Sequence, residues 1–175
     1  MPLSRLLFAI VAPIAISLIG CAANTPEIPA LPIILIQESD YRGVIFSAAE
    51  AERQRLEIPM TADTVEFWSP SAADIAHLEA QILPALLTDE RLSDGVGFNP
   101  VRPLEETLPD YGRQYFGYFT TDGAAIIYAS FFCNASVEDL MDGGGPPLDG
   151  GDCYFQIHYN IDTDEYFDLY VHGEA

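Results

Sequence analysis

From Arg113 onward the pattern switches to strands, and from Cys153 to Ile161 apolar residues recur at every second position, a period that specifies a β-strand. Cys153, Phe155, Ile157, Tyr159 and Ile161 fall on one side of an extended chain, and Tyr154, Gln156, His158 and Asn160 on the other. Tyr166 to His172 alternates too, with Phe167, Leu169 and Val171 expected to face inward. Setting the inward residues against each other places Ile161 opposite Phe167 and Ile157 opposite Val171, with Asp162 to Tyr166 as the loop. Upstream, Gln114 to Thr120 and Ala124 to Phe132 flank Thr121-Asp122-Gly123, a hairpin turn signal.

The first half reads differently. Ile33 to Ile36 and Val44 to Phe46 are short apolar runs expected to be strands, and Ser47 to Leu56 has the composition of a short surface helix. The clearest helix begins near Trp68-Ser69-Pro70-Ser71. Either Ser69 caps it with Pro70 in the first helical position, or Ser71 caps it with Asp74 three residues on. Ile75, Leu78, Ile82 and Leu86 then share a face, and Pro84 is expected to kink or end the regular part. Residues 88–110, with several glycines and prolines, read as loop. The expected class is α+β: one main helix packed on a four- or five-stranded antiparallel sheet.

Charge narrows the chemistry. The 175-residue chain has a formal net charge of −20, and all seven of its positive side chains are arginine. Without lysine there is no phosphate-loop lysine, Schiff base or Ser-Lys dyad. Nucleic acid is not an expected partner, because phosphate binding needs clustered basic residues. The acidity is read as a solubilising surface.

The amino end supplies an address. Arg5 precedes an apolar run from Leu6 to Ile19, too short for a spanning helix and interrupted by Pro13. The run closes in Leu18-Ile19-Gly20-Cys21, which resembles the lipobox of bacterial lipoproteins. That resemblance implies a signal peptide over 1–20, cleavage before Cys21 and lipid on Cys21. The membrane then becomes a partner through that lipid. Ala22 after the cysteine implies the outer membrane, facing the periplasm, in a Gram-negative cell. Residues 21–32 would form the lipidated cysteine and a tether extended by Pro26, Pro29 and Pro32, and 33–175 a single α+β domain.

With Cys21 lipidated, Cys133 and Cys153 remain, and cysteines of an exported protein normally pair. A bridge would close a loop containing Gly143-Gly144-Gly145-Pro146-Pro147, contributing about 3 kcal/mol on the chain-entropy picture. A metal-bound thiol pair or a reactive thiol are the alternatives, the first lacking ligand-spaced partners.

A second likeness rests on scattered motifs over roughly residues 65 to 175. They are Phe67-Trp68-Ser69-Pro70-Ser71, Leu78-Glu79, Arg113-Gln114-Tyr115-x-Gly117, Gly150-Gly151-Asp152-Cys153-Tyr154-Phe155 and Asp168-Leu169-x-Val171-x-Gly173-x-Ala175. These are similar to a set of small exported bacterial proteins of unknown function. The resemblance implies a shared compact fold and supplies no catalytic residue.

Three side chains remain as the best candidate site: His158, Asp168 and His172, expected together on the outer, solvent-facing side of the last hairpin. In the register above, His158 opposes Tyr170 and Gln156 opposes His172, so the histidines lie on a diagonal where they can share a metal or a proton. The plainer reading is a polar sheet face, with no catalytic, cofactor-binding or metal role. Asn160-x-Asp162-x-Asp164 imitates half a calcium loop but lacks its glycine and closing glutamate, and reads as a turn. The sequence therefore points to an envelope-anchored, non-catalytic binding domain for an envelope protein or peptide. A hydrolase or metal-dependent enzyme using the three residues is the alternative.

Overall fold

The computed structural model describes residues 33–54, 64–96, 102–145 and 150–173. The signal, Cys21 and tether expected over 1–32 lie outside these residues, as do the carboxyl end of the helix expected over 47–56 and part of the glycine-rich loop.

The chain begins with a hairpin of β1 (Ile33–Gln37) and β2 (Arg42–Phe46), closed where Glu38 N–H donates to Tyr41 C=O at 2.8 Å. Helix α1 (Ala48–Arg53) follows, capped by the Ser47 side chain. Strand β3 (Thr64–Trp68) leads into α2 (Ala72–Glu79), where Ser71 and Asp74 form the reciprocal capping box. The helix then breaks. It ends at Ala80 and restarts as α3 (Ile82–Leu86). Pro84 has no N–H and its ring clashes with the carbonyl four residues back, so it is accommodated only in the first turn of a new helix. The segment expected as loop carries α4 (Glu90–Ser93) and α5 (Leu104–Thr107). After a 3-10 turn at Leu108–Asp110 come β4 (Gly112–Thr120), β5 (Ala125–Phe132), α6 (Val137–Met141), β6 (Tyr154–Asn160) and β7 (Glu165–Val171).

The α+β class holds, but the architecture is richer than one helix on a four- or five-stranded antiparallel sheet. Among the described residues there are seven strands in one mixed sheet, six of them ordered β1-β2-β4-β5-β6-β7 with β3 pairing off this path to β4, and six short α-helices. Strand β4 explains the difference. Its first half pairs in parallel with β2, Arg42 beside Gly112 through Ile45 beside Tyr115. Its second half pairs antiparallel with β3, Trp68 beside Gly117. One edge of a single strand thus serves two neighbours in turn. A Cβ at Gly117 would sit 2.7 Å from the Trp68 ring, so this junction closes only over glycine.

Apolar residues fill both faces of the sheet. On one, Tyr115, Ile127, Phe131, Phe155 and Ile157 meet Ile75 and Leu78 of α2, Ile82 and Leu86 of α3, Leu92 of α4 and Leu104 of α5. On the other, Val44, Phe46, Phe116, Tyr118 and Tyr128 meet Ala51 of α1 and Leu140 of α6. Trp68 packs against the first of these clusters, and Phe46, Phe67, Phe116, Phe131, Phe132 and Phe155 are buried in the core.

Cys133 and Cys153 are disulfide-bonded, their Cα atoms 4.9 Å apart. They sit just beyond the paired ends of β5 and β6, where Cys133 N–H also donates to Cys153 C=O at 3.0 Å. Reduction should lower the melting temperature and remove about 2 to 5 kcal/mol of stability. The check is thermal and denaturant unfolding with and without reductant, alongside thiol titration of the denatured, unreduced protein. Two free thiols from this pair would contradict the bridge.

Candidate functional site

The last hairpin departs from its expected register. Asn160 pairs with Glu165, Tyr159 with Tyr166 and His158 with Phe167, while Gln156 pairs with Tyr170 and Phe155 with Val171. Between the last two groups β7 holds one more residue than β6, a bulge. Asp168 lies in it with φ of +51°, a left-handed conformation that Asp tolerates better than most residues. The bulge reverses the alternation. Tyr166, Leu169 and Val171 face the first core, whereas Phe167 turns to the second, against the expectation that it would share a side with Leu169 and Val171.

The changed register separates the candidate site. His172 N–H bonds to Tyr154 C=O, four positions along β6 from His158, so the two histidines stand roughly 13 Å apart along the strand. The expected diagonal placed them only two positions apart. Nor is their face solvated as expected. His158 and His172 are both buried, and only Asp168 is exposed. His158 stacks on Phe167 at 5.3 Å, with Tyr128 at 5.2 Å and Tyr118 at 5.8 Å edge-on. Its Nδ1 shares a 2.8 Å hydrogen bond with the Tyr118 hydroxyl. Burial holds its pKa down at about 4, against a smaller upward pull from Asp168, so the imidazole is neutral at ordinary pH. His172 lies between Tyr170, at 5.0 Å, and Tyr154, at 6.4 Å. Among the described residues no three His, Cys, Asp or Glu side chains gather into a metal-binding group.

The calcium-like segment is a turn, as its composition suggested. Asn160 Oδ1 accepts from the N–H groups of Asp162 and Thr163. Asp164, with φ of +59°, accepts from the Tyr159 hydroxyl at 2.5 Å and meets His77 at 2.9 Å.

Two arrangements escaped sequence reasoning. The first is a buried ionic cluster. Arg113, 1% exposed, lies with its Nε 3.1 Å from Glu79 Oε1, the same oxygen that accepts from the Tyr115 hydroxyl at 2.6 Å. The guanidinium also donates to the carbonyls of Tyr111 and Leu108 and lies over the rings of Phe131 and Tyr41. Burial pushes the Glu79 carboxyl up, with Arg113 opposing, and pushes the Tyr115 hydroxyl well above its usual range. Glu79, Arg113 and Tyr115 all stand in the motifs that carry the second resemblance. The signal was present, but residues 34 apart in sequence carry no mark of contact.

The second is a pocket of about 300 Å³ beside the disulfide. Phe132, Cys133, Asn134, Asp139, Gly144 and Tyr154 are among the residues that line it. Asn134, with φ of +56°, turns the chain sharply out of β5 into α6. Asp139 forms a second capping box with Ser136 at the start of α6. The volume is at the small end of ligand sites and suits one side chain or a small polar group.

No protein-family model, curated protein or solved structure matches this chain.

The neutral, buried His158 has a consequence for stability. Its pKa is lower in the folded protein than in the unfolded chain, so below about 6.5 the unfolded chain takes up the extra proton. Stability from this group is therefore complete above pH 6.5 and declines as pH falls toward 4, by about 3 kcal/mol in all. Denaturant unfolding of the protein and of His158→Phe between pH 7 and pH 4 should show the slope flattening in the variant. Equal slopes would mean that His158 is protonated in the folded protein.

Proposed function

We propose that this protein is a lipid-anchored domain of the bacterial cell envelope that acts by binding and not by catalysis. The observation that carries the reading is the pairing of Cys133 with Cys153, because such bridges persist in oxidising compartments outside the cytosol. It agrees with the lipobox at Leu18-Ile19-Gly20-Cys21 and with the likeness of the later motifs to small exported proteins. No described helix is long and apolar enough to cross a membrane; the lipobox assigns anchorage to the lipid on Cys21. In this reading the signal peptide is removed, residues 21–32 tether the domain, and a Gram-negative cell would hold it on the outer membrane facing the periplasm.

Binding is assigned to the pocket beside the disulfide. Its aromatic wall of Phe132 and Tyr154, with Asn134 and Asp139 at hand, suits one side chain of an envelope protein or peptide. The hydrolase or metal-enzyme alternative loses its geometric support, since His158 and His172 are apart and enclosed.

Replacing Cys21 with Ser should abolish both palmitate labelling and sedimentation with membranes. Two or more acyl chains hold a protein stably, at about 0.8 kcal/mol per buried methylene, and an acidic surface gains nothing from anionic lipid. Metabolic labelling and fractionation of the producing cells provide the check. A Cys21→Ser chain that still labels and pellets would remove the anchor from this account.

A further inference from the structure

We propose that the free edge of β1 is a self-association surface, completed by β1 of a second copy in antiparallel pairing centred on Leu35. The first ground is a mismatch between what β1 is made of and where it lies. Ile33-Ile34-Leu35-Ile36 is a continuous apolar run, the pattern of a strand buried on both faces and flanked on both sides. Yet among the described residues β1 ends the sheet. Leu35 is 56% exposed and Ile34 41%, and as consecutive strand residues they point to opposite faces. Lack of helical cover on one face alone does not explain both.

The second ground is that this edge carries none of the usual protection. Exposed edges are normally blunted by charge, proline or a bulge. Strand β1 has no charged residue and no proline, and it pairs with β2 without interruption from Ile33 beside Phe46 to Gln37 beside Arg42. The opposite end of the sheet shows the contrast. There β7 carries Glu165 and Asp168 and is distorted by its bulge.

The ladder parity fixes what the edge offers. Glu38 N–H bonds to Tyr41 C=O, so Glu38, Ile36 and Ile34 direct their backbone groups toward β2. Ile33, Leu35 and Gln37 therefore turn theirs outward. A two-fold axis through Leu35 makes these three a hydrogen-bonding set complementary to itself. Leu35 meets Leu35 of the second copy, Ile33 meets Gln37, and Ile34 meets Ile36 on the other face.

A second copy suits this edge for two reasons. Every pair in that register is apolar or a neutral amide, so a chain with a net charge of −20 meets itself along its uncharged edge. The preceding segment of the same chain is a poor occupant, since Pro26, Pro29 and Pro32 lack the N–H that a ladder needs. The pairing is independent of the lipid on Cys21 and stands or falls separately from it.

The test uses the purified full chain. Leu35→Cys and Val65→Cys are treated with a short bis-maleimide, beside the unsubstituted protein. Val65 is 57% exposed on β3 and serves as a matched control. Several-fold more product of twice the monomer mass is expected from Leu35→Cys than from either control. Equal yields, or a Leu35→Cys product of another mass that reveals a foreign partner, would overturn the proposal. Sedimentation gives a second reading. The unsubstituted chain should form a dimer that strengthens with added salt, as screening relieves repulsion. Leu35→Glu, which sets two carboxylates directly opposite, should be monomeric while keeping its fold by circular dichroism. An unsubstituted chain that stays monomeric, or a Leu35→Glu chain that still dimerises, would equally refute it.

Discussion

The guanidinium of Arg113 is the interaction on which the rest of this structure depends. It leaves β4 at the centre of the sheet and reaches Glu79 at the end of α2, two carbonyls of the turn entering β4, and the faces of Phe131 and Tyr41. One side chain thus fixes the distance between the first helical layer and the sheet. Burying such a pair is costly in desolvation, and losing one partner leaves the other charged and enclosed. The Tyr115 hydroxyl contributes by donating to the same carboxylate oxygen. Of seven positive charges in a strongly acidic chain, this one is sealed inside and does nothing to offset the acidic surface.

Much of the local structure was legible because it follows from local rules. The hairpin of β4 and β5, the alternation of β6, the cap of α2 and the pairing of the cysteines all correspond to short patterns in the chain. What escaped was set by tertiary partners. Strand β3 is short, with Val65 and Glu66 exposed, so its burial pattern is too weak to announce it. The parallel pairing of β2 with β4 joins segments some 70 residues apart, with nothing in either to mark its direction. The break between α2 and α3 fell before Pro84 instead of at it, since a proline disturbs the preceding turn.

The candidate site was misread for two reasons: the hairpin turns earlier than expected, with Asn160 paired to Glu165, and β7 bulges at Asp168. Strict alternation permits only one register, and that register brought two histidines together on a wet face. One extra residue in β7 moved Phe167 to the other side, where it stacks on His158 and helps to enclose it. Of the three side chains that sequence reading offered to a ligand, His158 instead shares a hydrogen bond with Tyr118. The pocket was invisible for the opposite reason. It arises from Asn134 turning the backbone beside the disulfide, and no residue type in its wall is diagnostic of binding.

The division of one edge of β4 between two strands bears on how this domain can diversify. Strands β2 and β3 run toward each other along that edge and stop where Phe46 and Trp68 approach. The chain segments leaving one and following the other are fastened by Ala48 N–H donating to Ser69 Oγ at 2.8 Å. The excursion that runs from α1 through β3 therefore leaves and re-enters at nearly one point, Ala48 beside Ser69. Because closing a longer loop between fixed ends adds only slowly to its entropic cost, that excursion can grow or shrink with little strain on the sheet. The architecture thereby contains a natural grafting point, at which a descendant could acquire an insert while its seven strands keep their order.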